Sequence, residues 1–170
     1  MLEKSRLQPA ARITLALTLL TGLPLLNGCT EQQEQRAMPA QALDETFKDF
    51  GNYEVHYNAL RTDELGADIA RVYGIQRSRN RVMLNVTVLR KEAEHAPRKP
   101  VEATVTADVY NLNGQLKDLQ LRRVSEGEAI YYIGDVSIAG SEILVFDISV
   151  IPSGESQPFN VKLKREFVSN

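Results

Sequence analysis

The chain has 170 residues, 43% of them hydrophobic and 25% charged, with a formal net charge of −2, no Trp and a single Cys. That is enough apolar content for one packed domain of ordinary size, while the acidic balance argues against nucleic-acid binding, which needs a basic field. One cysteine excludes an internal disulfide and makes a zinc site improbable.

The chain opens on a basic stretch with Lys4, Arg6 and Arg12, followed by an apolar run over residues 13–26 that ends in Leu25-Leu26-Asn27-Gly28-Cys29. A membrane-spanning helix needs about 20 apolar residues. This run has 14 and contains Gly22 and Pro24, so it reads as the core of a secretory signal. A lone cysteine at the cut resembles the bacterial lipoprotein processing site. There the cut falls before the cysteine, which is then acylated, palmitate included. Each buried methylene contributes about 0.8 kcal/mol, and more than one chain gives a firm hold. Residues 1–28 are therefore expected to be a lipoprotein signal peptide, with Cys29 as the lipid attachment site. Thr30, where an Asp would favour inner-membrane retention in such proteins, points to the periplasmic face of the outer membrane. The alternative is an ordinary cut near Ala40-Gln41-Ala42 and a soluble periplasmic protein. Removing three basic residues and one acidic residue takes 20 and 22 to 17 and 21, a formal charge of −4.

Residues 29–46 are polar, Gln-rich and short of aromatics. They bury too little to offset the entropy of ordering, and are expected to form a flexible tether. A helical reading is open for residues 37–50. The folded domain is expected over residues 47–170.

From Tyr53 onward the dominant period is two, the mark of half-buried strands. Val82, Leu84, Val86 and Val88 alternate with Met83, Asn85, Thr87 and Leu89. Val101, Ala103, Val105, Ala107 and Val109 alternate with more polar neighbours, and Leu144, Phe146, Ile148 and Val150 repeat the pattern. About seven strands are expected, at 53–60, 82–90, 101–111, 116–124, 129–138, 143–151 and 158–168. Asn113-Gly114 is the strongest hairpin cue, because both residues tolerate positive φ. Between the first two strands, Leu65, Ile69, Val72 and Tyr73 share one helical face, with Thr62 or Asp63 as cap and Gly74 as stop. These elements predict a mostly β chain: an immunoglobulin-like antiparallel β-sandwich of about seven strands with one short helix. The alternative is a small closed β-barrel.

Chemistry-bearing motifs are sparse. No Gly-x-Ser-x-Gly elbow, phosphate-cradling glycine loop or His/Cys metal spacing occurs, so no catalytic residue, metal or cofactor is assigned. His56 reads as a hydrogen-bonded strand residue and His95 as solvated loop. The densest feature is Arg77-Ser78-Arg79-Asn80-Arg81. Arginine forks suit carboxylate or phosphate groups, so Arg77, Arg79, Asn80 and Arg81, with His56 and Tyr57 of the first strand, are the candidate binding residues. The plainer reading of the turn is a solvated loop whose arginines pair with nearby acids such as Glu64 or Asp68.

Tyr53-Glu54-Val55-His56-Tyr57-Asn58-Ala59, Tyr73-Gly74-Ile75-Gln76-Arg77-Ser78-Arg79-Asn80-Arg81, Leu84-Asn85-Val86, Leu112-Asn113-Gly114-Gln115 and Ala129-Ile130-Tyr131-Tyr132-Ile133 are similar to motifs of one family. It comprises small exported gamma-proteobacterial proteins carrying a domain of unknown function. The resemblance covers residues 47–167 and implies a periplasmic β-rich domain with no assigned activity. Plain signal peptides are common in that family, which makes Cys29 a departure.

The functional expectation is a non-enzymatic, membrane-tethered module in the cell envelope, held through Cys29, with an envelope protein as partner. The alternative is a periplasmic small-ligand carrier with a pocket between the sheets, lined by Tyr53, Tyr57, Tyr73, Tyr131 or Tyr132.

Overall fold

The computed structural model describes residues 46–93 and 95–169. The expected signal peptide, Cys29 and the tether before residue 46 lie outside the described residues.

Among the described residues ten strands form two antiparallel sheets. The first sheet runs β1 (Phe47–Phe50), β2 (Tyr53–Arg61), β3 (Arg81–Arg90), β8 (Ala129–Ser137) and β7 (Arg122–Glu126), with the two-residue β4 (Lys99–Pro100) pairing β3 beyond the end of β8. The second runs β10 (Phe159–Phe167), β9 (Glu142–Pro152), β5 (Ala103–Asn111) and the two-residue β6 (Leu116–Lys117). The sheets do not close on each other, so the architecture is a sandwich and not a barrel.

Alternation makes the core. Val55, Tyr57, Ala59, Val82, Leu84, Val86 and Val88 of the first sheet meet Val109, Leu144, Phe146, Ile148, Val150 and Leu163 of the second. Each large apolar side chain among them, fully buried, contributes about 1.5–3 kcal/mol.

The expected strand at 116–124 is two strands, one in each sheet. Residues 118–121 carry the chain across, with Leu119 and Leu121 packed on the core. The crossing passes over Gly134 of β8 so closely that a Cβ there would collide with the Gln120 carbonyl and the Leu119 side chain. Period-two alternation is the same in either sheet, so sequence alone does not reveal the switch. Phe47–Phe50, open to a helical reading, is an edge strand.

The helix is also shorter than expected. A 3₁₀ turn (Thr62–Glu64) precedes α1 (Ala67–Val72), and only half of the predicted stripe faces inward: Leu65 and Tyr73 pack, partly buried, on the sheet. Ile69 and Val72 are exposed, whereas Ala70 and Ile75 are buried against Met83 and Ile133. Gly74, at φ +63°, turns the chain back so that Ile75 reaches the sheet. From its end of the sandwich the segment therefore folds over the outer face of the first sheet. Among the described residues no helix is long and apolar enough to cross a membrane.

Candidate functional site

Three connections gather at one end of the sandwich: residues 62–80 between β2 and β3, 112–115 between β5 and β6, and 138–141 between β8 and β9. The Ile138 N–H donates to the Asn80 carbonyl at 2.9 Å, tying the first connection to the third.

In the first connection the arginines are engaged within the chain. Thr62 is fully buried; its hydroxyl lies 2.8 Å from the Gln76 carbonyl and accepts from the Ser78 N–H at 2.9 Å. This fixes the two ends of the loop against each other. Asp63 becomes the hub: Arg61 Nε lies 3.2 Å from its carboxylate and Arg79 Nε 3.9 Å, while Arg77 donates to its carbonyl at 2.7 Å. Arg81 pairs with Asp135 across the β3–β8 ladder. The partners are thus Asp63 and Asp135. Glu64 pairs with Arg61, and Asp68 with Arg71. Asn80 is exposed on the turn.

The other two predicted residues are elsewhere. His56 sits on the outer face of β2, its ring 5.2 Å from Phe47 in a stack and its Nε2 3.1 Å from Glu54. Glu54 also takes Arg98 Nε at 3.0 Å and has Lys91 Nζ at 3.8 Å. The His56 hydrogen bond, against burial and helped by Arg98 and Lys91, holds the Glu54 carboxyl below its usual range. Tyr57 points into the core. The structure therefore brings together Arg77, Arg79, Asn80 and Arg81, and separates them from His56 and Tyr57. His95 is exposed.

The second connection presents what sequence reasoning missed. Asn111, nearly buried, folds the hairpin around itself: its Oδ1 accepts from the N–H groups of Asn113 and Gln115 at 3.0 and 3.1 Å, and its Nδ2 donates to Gln115 Oε1 at 2.8 Å. Gly114 takes φ +76°, as the turn demands. The fixed tip leaves Leu112 and Leu116 60% and 74% exposed. Each stands at an open cleft. One, about 450 Å³, is lined by Leu112, Gln115, Ser141, Glu142 and Glu166. The other, about 530 Å³, is lined by Leu116, Asp118, Arg81, Asp135 and Ser137. The signal available in the sequence was an Asn-Gly turn bracketed by two leucines.

Lys117 and Glu142 bind the hairpin to the third connection at 2.6 Å. Burial pushes the Glu142 carboxyl up, but Lys117, the Ala139 N–H and Asn111 together outweigh it and the group sits below its usual range. On the outer face of the second sheet, Asp147 meets Lys162 Nζ at 2.8 Å and accepts from Tyr110 Oη at 2.9 Å beside a third cleft of about 430 Å³. Among the described residues no three His, Cys, Asp or Glu side chains converge as a metal site.

The five tyrosines expected to line a carrier pocket serve packing. Tyr132 is buried and its Oη accepts the Ala103 N–H at 2.7 Å; Tyr53 lies against Phe159, and Tyr73 against Tyr131. None lines any of the three clefts.

Fold and site together define a small β-sandwich with a packed interior and two exposed leucines, Leu112 and Leu116, at one hairpin. A family model for DUF4426, a domain of unknown function, matches residues 47–169, and the chain belongs to that family. A solved DUF4426 family protein from Pseudomonas aeruginosa PAO1 is 33% identical, with a TM-score of 0.62, over 73% of this chain and 94% of that one. Two structures of FetP from uropathogenic E. coli strain F11 have the same fold at low identity. One, expressed in the E. coli periplasm, is 10% identical with a TM-score of 0.53, over 75% of this chain and 95% of that one. The other, a copper-bound variant of FetP, is 11% identical with a TM-score of 0.52, over 73% and 95%. A search of curated proteins finds no match.

Proposed function

We propose that this chain is a periplasmic lipoprotein, anchored through Cys29 to the outer membrane, whose sandwich is a non-enzymatic interaction module. The observation that carries the reading is the pair of exposed leucines, Leu112 and Leu116, on a hairpin tip that Asn111 holds in one shape. A preorganised apolar tip flanked by clefts suits a protein partner, since little ordering entropy is lost on docking. The charged turn beside it, with its arginines already occupied by Asp63 and Asp135, serves as rim.

The exported location is supported by the apolar run before Cys29 and by the fold it shares with FetP, a protein expressed in the periplasm. Copper is a property of the FetP variant alone, and no metal is assigned to this chain from it. A carrier role finds no support in the tyrosines, which are used in packing.

Two measurements test the reading. Cys29→Ala should move the protein from the membrane fraction to soluble periplasm, or block its processing; unchanged membrane association would refute the anchor. Affinity capture from cell envelopes should lose its partner when Leu112→Asp and Leu116→Asp are combined, with the thermal melt preserved. Equal capture by that variant would refute the tip as the docking element.

A further inference from the structure

We propose that two copies of this chain join through the outer edge of β7, extending the first sheet across a twofold axis at Val124. Among the described residues β7 pairs only with β8, as the terminal strand of its sheet. The other edges are less available. β1 has four residues and β6 two. The edge of β10 is bridged to the first sheet by Lys48, Arg61 and Arg165.

Register decides which backbone groups β7 offers. Glu126 and Ala129 flank the two-residue turn 127–128 and form a hydrogen-bonded pair, so Val124–Tyr131 and Arg122–Ile133 do as well. An independent contact agrees: the Ile130 carbonyl accepts from Thr87 of β3, on the opposite side from β7. The N–H and C=O groups of Arg123 and Ser125 therefore point away from the sheet. Among the described residues no strand pairs with them, and both residues are exposed, a template for another strand.

The occupant is set by the order of the side chains. In Arg122-Arg123-Val124-Ser125-Glu126, an antiparallel copy centred on Val124 places Arg122 opposite the partner's Glu126, and Glu126 opposite the partner's Arg122. Arg123 and Ser125 then face the partner's Ser125 and the partner's Arg123, and these are the residues whose backbone is available. Charge and hydrogen-bond parity agree in one register. Opposite charges directly across a ladder stabilise it, and like charges there do the reverse. Tyr73 holds both charged residues in place on the outer face. Its Oη donates to Glu126 at 2.5 Å, and its carbonyl accepts from Arg122.

The twofold puts Val124 against its own counterpart as a non-hydrogen-bonded pair, with Cα atoms about 4.5 Å apart, inside the range a disulfide spans. The test uses the purified full chain with Cys29→Ser, which leaves no native thiol. Val124→Cys should form a disulfide dimer under mild oxidation. Leu116→Cys, on the far more exposed β6, should form none beyond random collision. Sedimentation of the Cys29→Ser chain, with no further change, over a concentration series should show a monomer–dimer equilibrium. Arg122→Glu should weaken it about tenfold, and adding Glu126→Arg should restore it. A monomer at every concentration, equal cross-linking of the two cysteine variants, or a double swap that fails to restore association would each overturn the proposal. The readout is association of the chain with itself, without lipid or envelope partner, so its failure leaves the proposed function standing.

Discussion

The arginine turn and the leucine hairpin share one end of the sandwich, yet they use their side chains in opposite ways. The turn is rich in charge, and its charge is spent internally on Asp63 and Asp135. The hairpin is poor in charge; its polar atoms close on Asn111 and its two leucines face water. A dense run of arginines draws the eye in a sequence, but guanidinium groups find carboxylates within reach. Leucines on a rigid tip keep their exposed area for another surface.

The largest effect that would sharpen this contrast is at Thr62. Thr62→Val should keep the shape and lose the hydroxyl that fixes the arginine loop, costing about 2 kcal/mol because partly buried carbonyl and N–H groups lose their partner. A denaturant melt measures it, and a loss within error would mean that the loop is held elsewhere. Asn111→Ala removes the corresponding post from the hairpin and should cost about 1–2 kcal/mol, less because the tip is open to water.

Glu142 provides a pH test. Its folded carboxyl sits below the usual range, so its pairing with Lys117 stabilises the fold at pH values above the ordinary glutamate range near 4.5. That contribution is lost as pH falls through the folded pKa. Glu142→Gln should flatten the acid limb of a Tm-against-pH curve and leave the slope near neutrality unchanged; an unaltered acid limb would detach the hairpin from the third connection. Smaller still, Arg77→Ala with Arg79→Ala should cost less than about 1 kcal/mol, as for exposed ion pairs, and should leave partner capture intact. Smallest, Leu112→Ser with Leu116→Ser should change the melt by less than about 0.5 kcal/mol, as for surface sites, while abolishing capture.

Much of the sandwich was legible because strands advertise themselves by alternation. β3, β5, β9 and β10 fall within about two residues of the expected limits. What alternation cannot carry is the assignment of a strand to a layer, and residues 116–126 run through both. The short helix misled for a related reason. In six residues an apolar stripe is one or two side chains, and Gly74 redirected the chain so that Ile75, outside the stripe, is buried beside Ala70 while the stripe's Leu65 and Tyr73 are only partly covered. Met83 falls on the outer face, as its place in the alternation predicts, but the 62–80 segment covers it. At the site, the richness of the turn in arginine was plain. The pairing of Arg81 with Asp135 spans 54 residues and belongs to the β3–β8 register, which only the fold supplies. His56 and Tyr57 are neighbours in sequence and point to opposite sides of the sheet, so no single surface holds both.

The crossing at Gly134 has a mechanical meaning. Because one continuous stretch of chain is stitched into both layers, and its backbone rests against β8 with no room for even a methyl group between, neither layer can melt while the other stands. Amides of Val86 in one layer and Ile148 in the other should therefore become exchangeable through the same opening event, and the domain should come apart as one body rather than as two leaves.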